Sequence, residues 1–176
     1  MSTHCIIAFK KGGSVTASFC YYDGYVLGAG RSLLSNFGSA ELAEKLVSQG
    51  SMSCAKLGMS YADKKHCCGK IDFSALAGKP AAEVLQAVLD MPLGWTEEMF
   101  NEHLKENLPK NLGSKDVMKK LESYASDSDA EFIYLFDEDN AHAWCALLED
   151  ANGRWHTLLL THAVAASMPA EGKGTR

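Results

Sequence analysis

Thr3-His4-Cys5-Ile6-Ile7-Ala8-Phe9-Lys10, then Lys11-Gly12-Gly13-Ser14, then Val15-Thr16-Ala17-Ser18-Phe19-Cys20-Tyr21-Tyr22: this opening stretch decides the fold. Cys5, Ile7 and Phe9 alternate with His4, Ile6 and Ala8, the two-residue period of a strand. Glycine reaches positive φ without strain, so Lys11 to Ser14 reads as a hairpin turn. The return strand places Val15, Ala17, Phe19 and Tyr21 on one face.

The last third of the chain is β-rich as well. Ala130 to Asp137 carries Phe132, Ile133, Tyr134, Leu135 and Phe136, all good strand formers. Asp137 to Asn140 reads as a turn and His142 to Leu148 as the partner strand. Asp150-Ala151-Asn152-Gly153 forms a second turn, and Arg154 to Leu160 completes a meander. From Thr161 onward the periodicity fades.

Between these β segments the pattern is helical. Gly30 to Phe37 turns Leu33, Leu34 and Phe37 inward. Ser39 caps a second helix that carries Leu42, Leu46 and Val47 and stops at Gly50. Residues 51–79 read as irregular, with a short strand near Lys70 to Phe73. Ala81 to Leu89 follows Pro80 as a third helix, Thr96 caps Glu97 to Asn107, and Ser114 caps Lys115 to Tyr124.

The expected architecture is therefore α+β. A single domain holds a mainly antiparallel sheet of about five strands, the N-terminal hairpin plus the C-terminal meander, with helices packed on one face. Residues 1–165 form that domain and 166–176 a flexible tail.

Composition bounds the function classes. A chain of 176 residues with 47% hydrophobic and 22% charged content buries a real core and is not disordered. Its net charge of −5 lacks the basic excess of a nucleic-acid binder, so direct nucleic-acid binding is not expected. The start shows no basic region followed by an apolar run of signal length, and no segment is long enough for a membrane span. A cytoplasmic, membrane-free protein is the expectation. The six cysteines (Cys5, Cys20, Cys54, Cys67, Cys68 and Cys145) then sit in a reducing compartment as thiols rather than as a disulfide framework.

The run Tyr22-Asp23-Gly24-Tyr25-Val26-Leu27-Gly28-Ala29-Gly30-Arg31-Ser32-Leu33-Leu34, behind the opening hairpin, carries a resemblance. It is similar to an uncharacterised family of bacteriophage and prophage proteins, marked by an aromatic-Asp-Gly-Tyr turn, a Gly-x-Gly and a Leu-Leu helix. Glu131 to Asp137 resembles that family's C-terminal strand. Where family members often place proline after Asp-Gly-Tyr, this chain has Val26, which leaves the turn type open. The family has no settled activity. What the resemblance implies is a small accessory protein of a mobile genetic element, with no catalytic residues to assign.

Four features carry candidate chemistry. In the first, backbone N–H groups of the Asp23 to Arg31 turn, at Gly24, Gly28 and Gly30, cradle an anion such as a nucleotide phosphate, helped by Arg31 and flanked by Tyr22 and Tyr25. The blander reading is a compact turn, because neither a P-loop lysine nor the third glycine of a dinucleotide fingerprint is present. The second is His66-Cys67-Cys68 with Cys54, whose spacing does not suit a tetrahedral zinc clamp; no metal and no cofactor is expected. The third is a cysteine–histidine nucleophilic pair, for instance Cys20 with His142 or His156, without a local signature.

The fourth lies between Glu122 and Asn140, which hold seven acidic residues and no lysine or arginine. Asp137, Glu138 and Asp139 are its densest part. They suit either a surface for a basic partner or an ordinary solvated turn. Tyr21, Tyr22, Tyr25, Trp95, Trp144 and Trp155 supply aromatic anchors for a hot spot, with Trp144 and Trp155 expected to pair across neighbouring strands.

The function expected from these readings is protein–protein binding to a host protein by a phage accessory factor, such as an inhibitor of a CRISPR-type defence. The alternative is a nucleotide- or phosphate-binding protein or enzyme built on the Asp23–Arg31 turn. A third idea is self-association through a strand edge.

Overall fold

The computed structural model describes residues 3–62, 78–83, 97–150 and 152–167, with the backbone alone at 97–100 and 167. The opening hairpin forms as read: β1 (Cys5–Lys11) and β2 (Ser14–Cys20) pair antiparallel, Cys5 opposite Cys20. Gly12 and Gly13, at φ 58° and 75°, make the tight turn.

After β2 come a π-helical turn (Val26–Gly30), α1 (Arg31–Asn36) and α2 (Ala40–Ser48). The Ser39 side chain caps α2 by accepting from the Leu42 N–H, as the sequence predicts. Further on lie α3 (Glu97–Asn107), β3 (Lys110–Gly113) and α4 (Val117–Asp127). The C-terminal meander is β4 (Phe132–Asp137), β5 (Ala143–Glu149) and β6 (Trp155–Leu159), closed by α5 (His162–Ser167). The α+β class holds, and no helix among the described residues is long and apolar enough to cross a membrane.

All six strands belong to one sheet, in the order β3-β2-β1-β4-β5-β6. Hairpin and meander join through β1 and β4, which run parallel, Cys5 beside Phe132 and Lys10 beside Asp137. The other four pairings are antiparallel.

Several expectations are corrected. The sheet has six strands rather than about five, because Lys110–Gly113 adds to the free edge of β2. The helices do not share one face. Cys5, Ile7, Phe9, Tyr134, Phe136 and Trp144 pack under α1, α2 and the π turn, whereas Ile6, Ala8, Phe19, Ile133, Leu135 and Leu147 pack against Leu121 and Ala125 of α4. The reason is visible in β1, where five consecutive residues from Cys5 to Phe9 are buried. A central strand that is apolar on both sides needs cover on both sides.

Lesser differences follow from local chemistry. Helix α4 begins at Val117 behind Asp116, whose φ is 51° and whose side chain makes no cap bond, so Ser114 is not the cap. Trp144 and Trp155 face opposite sides of the sheet and do not pair. A helix, α5, stands where the periodicity seemed lost, with Ala165 buried in the core. Of the helix expected from Ala81, the described part is Ala81 to Glu83. The Lys70–Phe73 strand, the Thr96 cap, Trp95, His66, Cys67, Cys68 and residues 168–176 lie outside the described residues.

Candidate functional site

The glycine-rich junction is built around contacts that exclude side chains. Asp23 takes the left-handed conformation (φ 56°). It turns the chain so that the Gly24 N–H donates to the Thr3 carbonyl at 2.9 Å. A Cβ at Gly24 would stand 2.6 Å from the backbone carbon of His4, and one at Gly28 would stand 2.3 Å from the Asp23 oxygen. Both positions therefore require glycine. The Tyr134 hydroxyl donates to the Gly24 carbonyl at 2.9 Å, pinning the turn from below.

Those contacts decide what the turn's donors do. Besides Gly24, the Gly28 N–H donates to the Tyr25 carbonyl (3.0 Å) and the Ala29 N–H to the Asp23 carbonyl (2.7 Å). Three of the N–H groups available to cradle an anion are engaged within the chain. Arg31 is exposed at the start of α1, and the Ser32 hydroxyl donates across to the Ala55 carbonyl at 2.7 Å.

Beside the junction lies a cleft of about 560 Å³. One wall is the turn itself, with Asp23, Tyr25, Gly28 and Ala29. Ser32, Asn36, Phe37 and Leu42 come from α1 and α2, and Cys54 to Leu57 form the far wall. Both walls are held. Trp144 donates its indole N–H to the Phe37 carbonyl at 2.8 Å from within the core. Gln49, at the C-cap of α2, grips the far wall, donating to the Lys56 carbonyl (2.8 Å) and accepting from the Gly58 N–H (3.1 Å).

The acidic residues stand at the other end of the sheet. Gly24 reaches the start of β1 and Asp137 the end of it, about 20 Å apart for a strand of this length. The structure does not bring the two groups together. Asp137 forms an ion pair with Lys10 at 3.1 Å, and Glu138 one with Lys11 at 3.4 Å. Asp139 accepts from the N–H groups of Gly12 and Gly13, both at 2.7 Å. Burial pushes the Asp137 carboxyl up, but hydrogen bonds from Asn140 and Lys10 outweigh it and hold its pKa below the usual value. These carboxylates fasten the β1–β2 turn to the end of β4.

A second surface was only partly legible. Phe19 and Tyr21 meet edge to face at 4.6 Å, His4 lies over Phe19 at 5.3 Å, and Tyr61 meets Tyr21 edge to face at 4.9 Å. The strand period flags Phe19 and Tyr21. Nothing in the sequence flags Tyr61, because the loop that returns it to β2 is held by backbone bonds such as Tyr21 N–H to the Met52 carbonyl. Burial and the nearby Glu106 raise the Tyr21 pKa; burial and the phenols of Tyr22 and Tyr21 raise that of Tyr61. Tyr21 is 36% exposed and Tyr22 51%.

The expected nucleophile pairs do not form. Cys20 ends β2, with β1, β4 and β5 between it and His156 on β6. His142 lies in the β4–β5 turn, at the opposite end of β4 from Phe132. His156 instead meets Asp150 at 3.0 Å on the surface, and Asp150 also accepts from the N–H groups of Asn152 and Arg154. Those bonds, the His156 one first, lower the Asp150 pKa to about 2. This is a turn-holding arrangement. Among the described residues no three His, Cys, Asp or Glu side chains are grouped to hold a metal ion.

No protein-family model, curated protein or solved structure matches the chain.

Proposed function

We propose that this protein works by binding another protein, as a cytoplasmic accessory factor of a phage or prophage that disables a host defence system. The observation that carries the binding part is the tyrosine surface around Tyr21, Tyr22 and Tyr61. Tyrosine presents a large, stiff, amphipathic face, and such residues dominate the energetics of protein interfaces. The phage context rests on the resemblance of the Tyr22–Leu34 and Glu131–Asp137 segments. The Asp137–Asp139 cluster contributes less than its sequence promises, since lysines and turn amides already engage it.

The test is affinity capture from bacterial lysates with the wild-type chain and a Tyr21→Ala/Tyr22→Ala variant. A prey enriched by the first and lost with the second supports the reading. Identical capture by both, or no enriched prey across several hosts, overturns it.

A further inference from the structure

We propose that the cleft beside the π turn binds a small, neutral, aromatic ring compound, and not the phosphate-bearing ligand that the glycine pattern suggests. The inference rests on the cleft alone and does not need the tyrosine surface to bind anything.

Size comes first. A volume of about 560 Å³ lies within the range of roughly 300–1,000 Å³ typical of small-molecule sites. Chemistry comes second. Ala29, Phe37, Leu42, Ala55 and Leu57 supply an apolar lining, with an aromatic ring among them. The charged residues of the lining are one acid, Asp23, and one base, Lys56, so the site has no net charge to recruit an ion. Phosphate recognition needs convergent N–H donors or excess positive charge. The donors at Gly24, Gly28 and Ala29 point into the chain, and the Ser32 hydroxyl is committed to the Ala55 carbonyl. What remains for a ligand is the apolar part of the lining, which suits a flat, uncharged ring.

Construction comes third. The near wall requires a left-handed Asp23, two glycines packed against backbone and a π turn. Strained backbone and π turns concentrate at ligand sites, where a fixed wall shape is useful. The far wall is independently held by Gln49. A preformed cleft with two anchored walls binds without having to order itself first.

Indole is the probe, with inorganic phosphate and ATP as comparison arms, in calorimetric titrations of the full chain. The expected result is saturable one-to-one binding of indole and none of phosphate or ATP. Leu42→Glu, at a cleft residue that is 38% exposed, weakens indole binding at least tenfold. Leu158→Glu, an equally exposed leucine outside the lining, leaves it unchanged. In the wild-type chain, indole slows alkylation of the Cys54 thiol by iodoacetamide at least threefold, a readout that needs no variant. Absence of saturable indole binding, equal binding by Leu42→Glu, or protection of Cys54 by phosphate overturns the proposal.

Discussion

The Tyr134 hydroxyl donates to the Gly24 carbonyl at 2.9 Å, joining two positions 110 residues apart beneath the glycine-rich turn. Tyr134 is fully buried, and burial drives its phenol pKa well upward, so it stays a donor at every working pH. Tyr134→Phe removes the donor and leaves a buried carbonyl unsatisfied. A loss of about 1–3 kcal/mol is expected, read as a lower urea midpoint at unchanged slope.

Gly28→Ala places a methyl group 2.3 Å from the Asp23 oxygen, a backbone atom that cannot swing aside. The expected cost is about 2 kcal/mol or more, with the π turn distorted. Gly38→Ala is the control. Its nearest neighbour would be the Leu34 oxygen at 3.6 Å, an ordinary contact, and its stability should change by no more than about 0.5 kcal/mol. Equal effects of the two substitutions would contradict the packing described for the turn.

The Lys10–Asp137 pair ties β1 to β4 at the parallel junction. Because the folded-state pKa of Asp137 is lowered, its contribution is present above the ordinary carboxylate value of 3.8 and is lost as pH falls through the lower folded value. Asp137→Asn should therefore cost up to about 1 kcal/mol at pH 7, and the gap should shrink as pH falls below 3.8 and through the lower folded value. Thermal melts across that range read the convergence. A constant gap between the two proteins would sever the link to ionisation.

Cys5 and Cys20 are fully buried and face each other across β1 and β2, whereas Cys54 and Cys145 are half-buried. Burial, reinforced by contact with Cys20, pushes the Cys5 thiol well up. Burial and the nearby Asp137 raise that of Cys145. Among these four described thiols, brief native alkylation followed by peptide mapping should modify Cys54 first, Cys145 more slowly, and Cys5 and Cys20 only after denaturation. Early labelling of Cys5 would mean that the β1–β2 core is open.

The hairpin, the meander and the Ser39 cap were legible in the sequence because each is written in local period and turn chemistry. The second face was not. Ile6, Ala8, Ile133 and Leu135 look like the minor half of an alternation until α4 is seen lying on them. Strand β3 was hidden because Lys110-Asn111-Leu112-Gly113 has little strand propensity and pairs only because β2 offers an edge. The site followed the same rule. The glycines announced a special backbone, but only coordinates reveal that the turn's amides point inward and that Phe37, Leu42 and Leu57 gather beside it.

The parallel junction of β1 with β4 also sets a schedule for the nascent chain. About 120 residues separate Lys11 from Phe132, which at ribosomal speeds of roughly 5–20 residues per second is a wait on the order of ten seconds. Throughout it the opening hairpin carries Ile6, Ile7, Ala8 and Phe9 without the neighbour that shields one edge. The sheet therefore cannot close until β4 has been made, and synthesis at low temperature or with a holding chaperone should raise the yield of native protein.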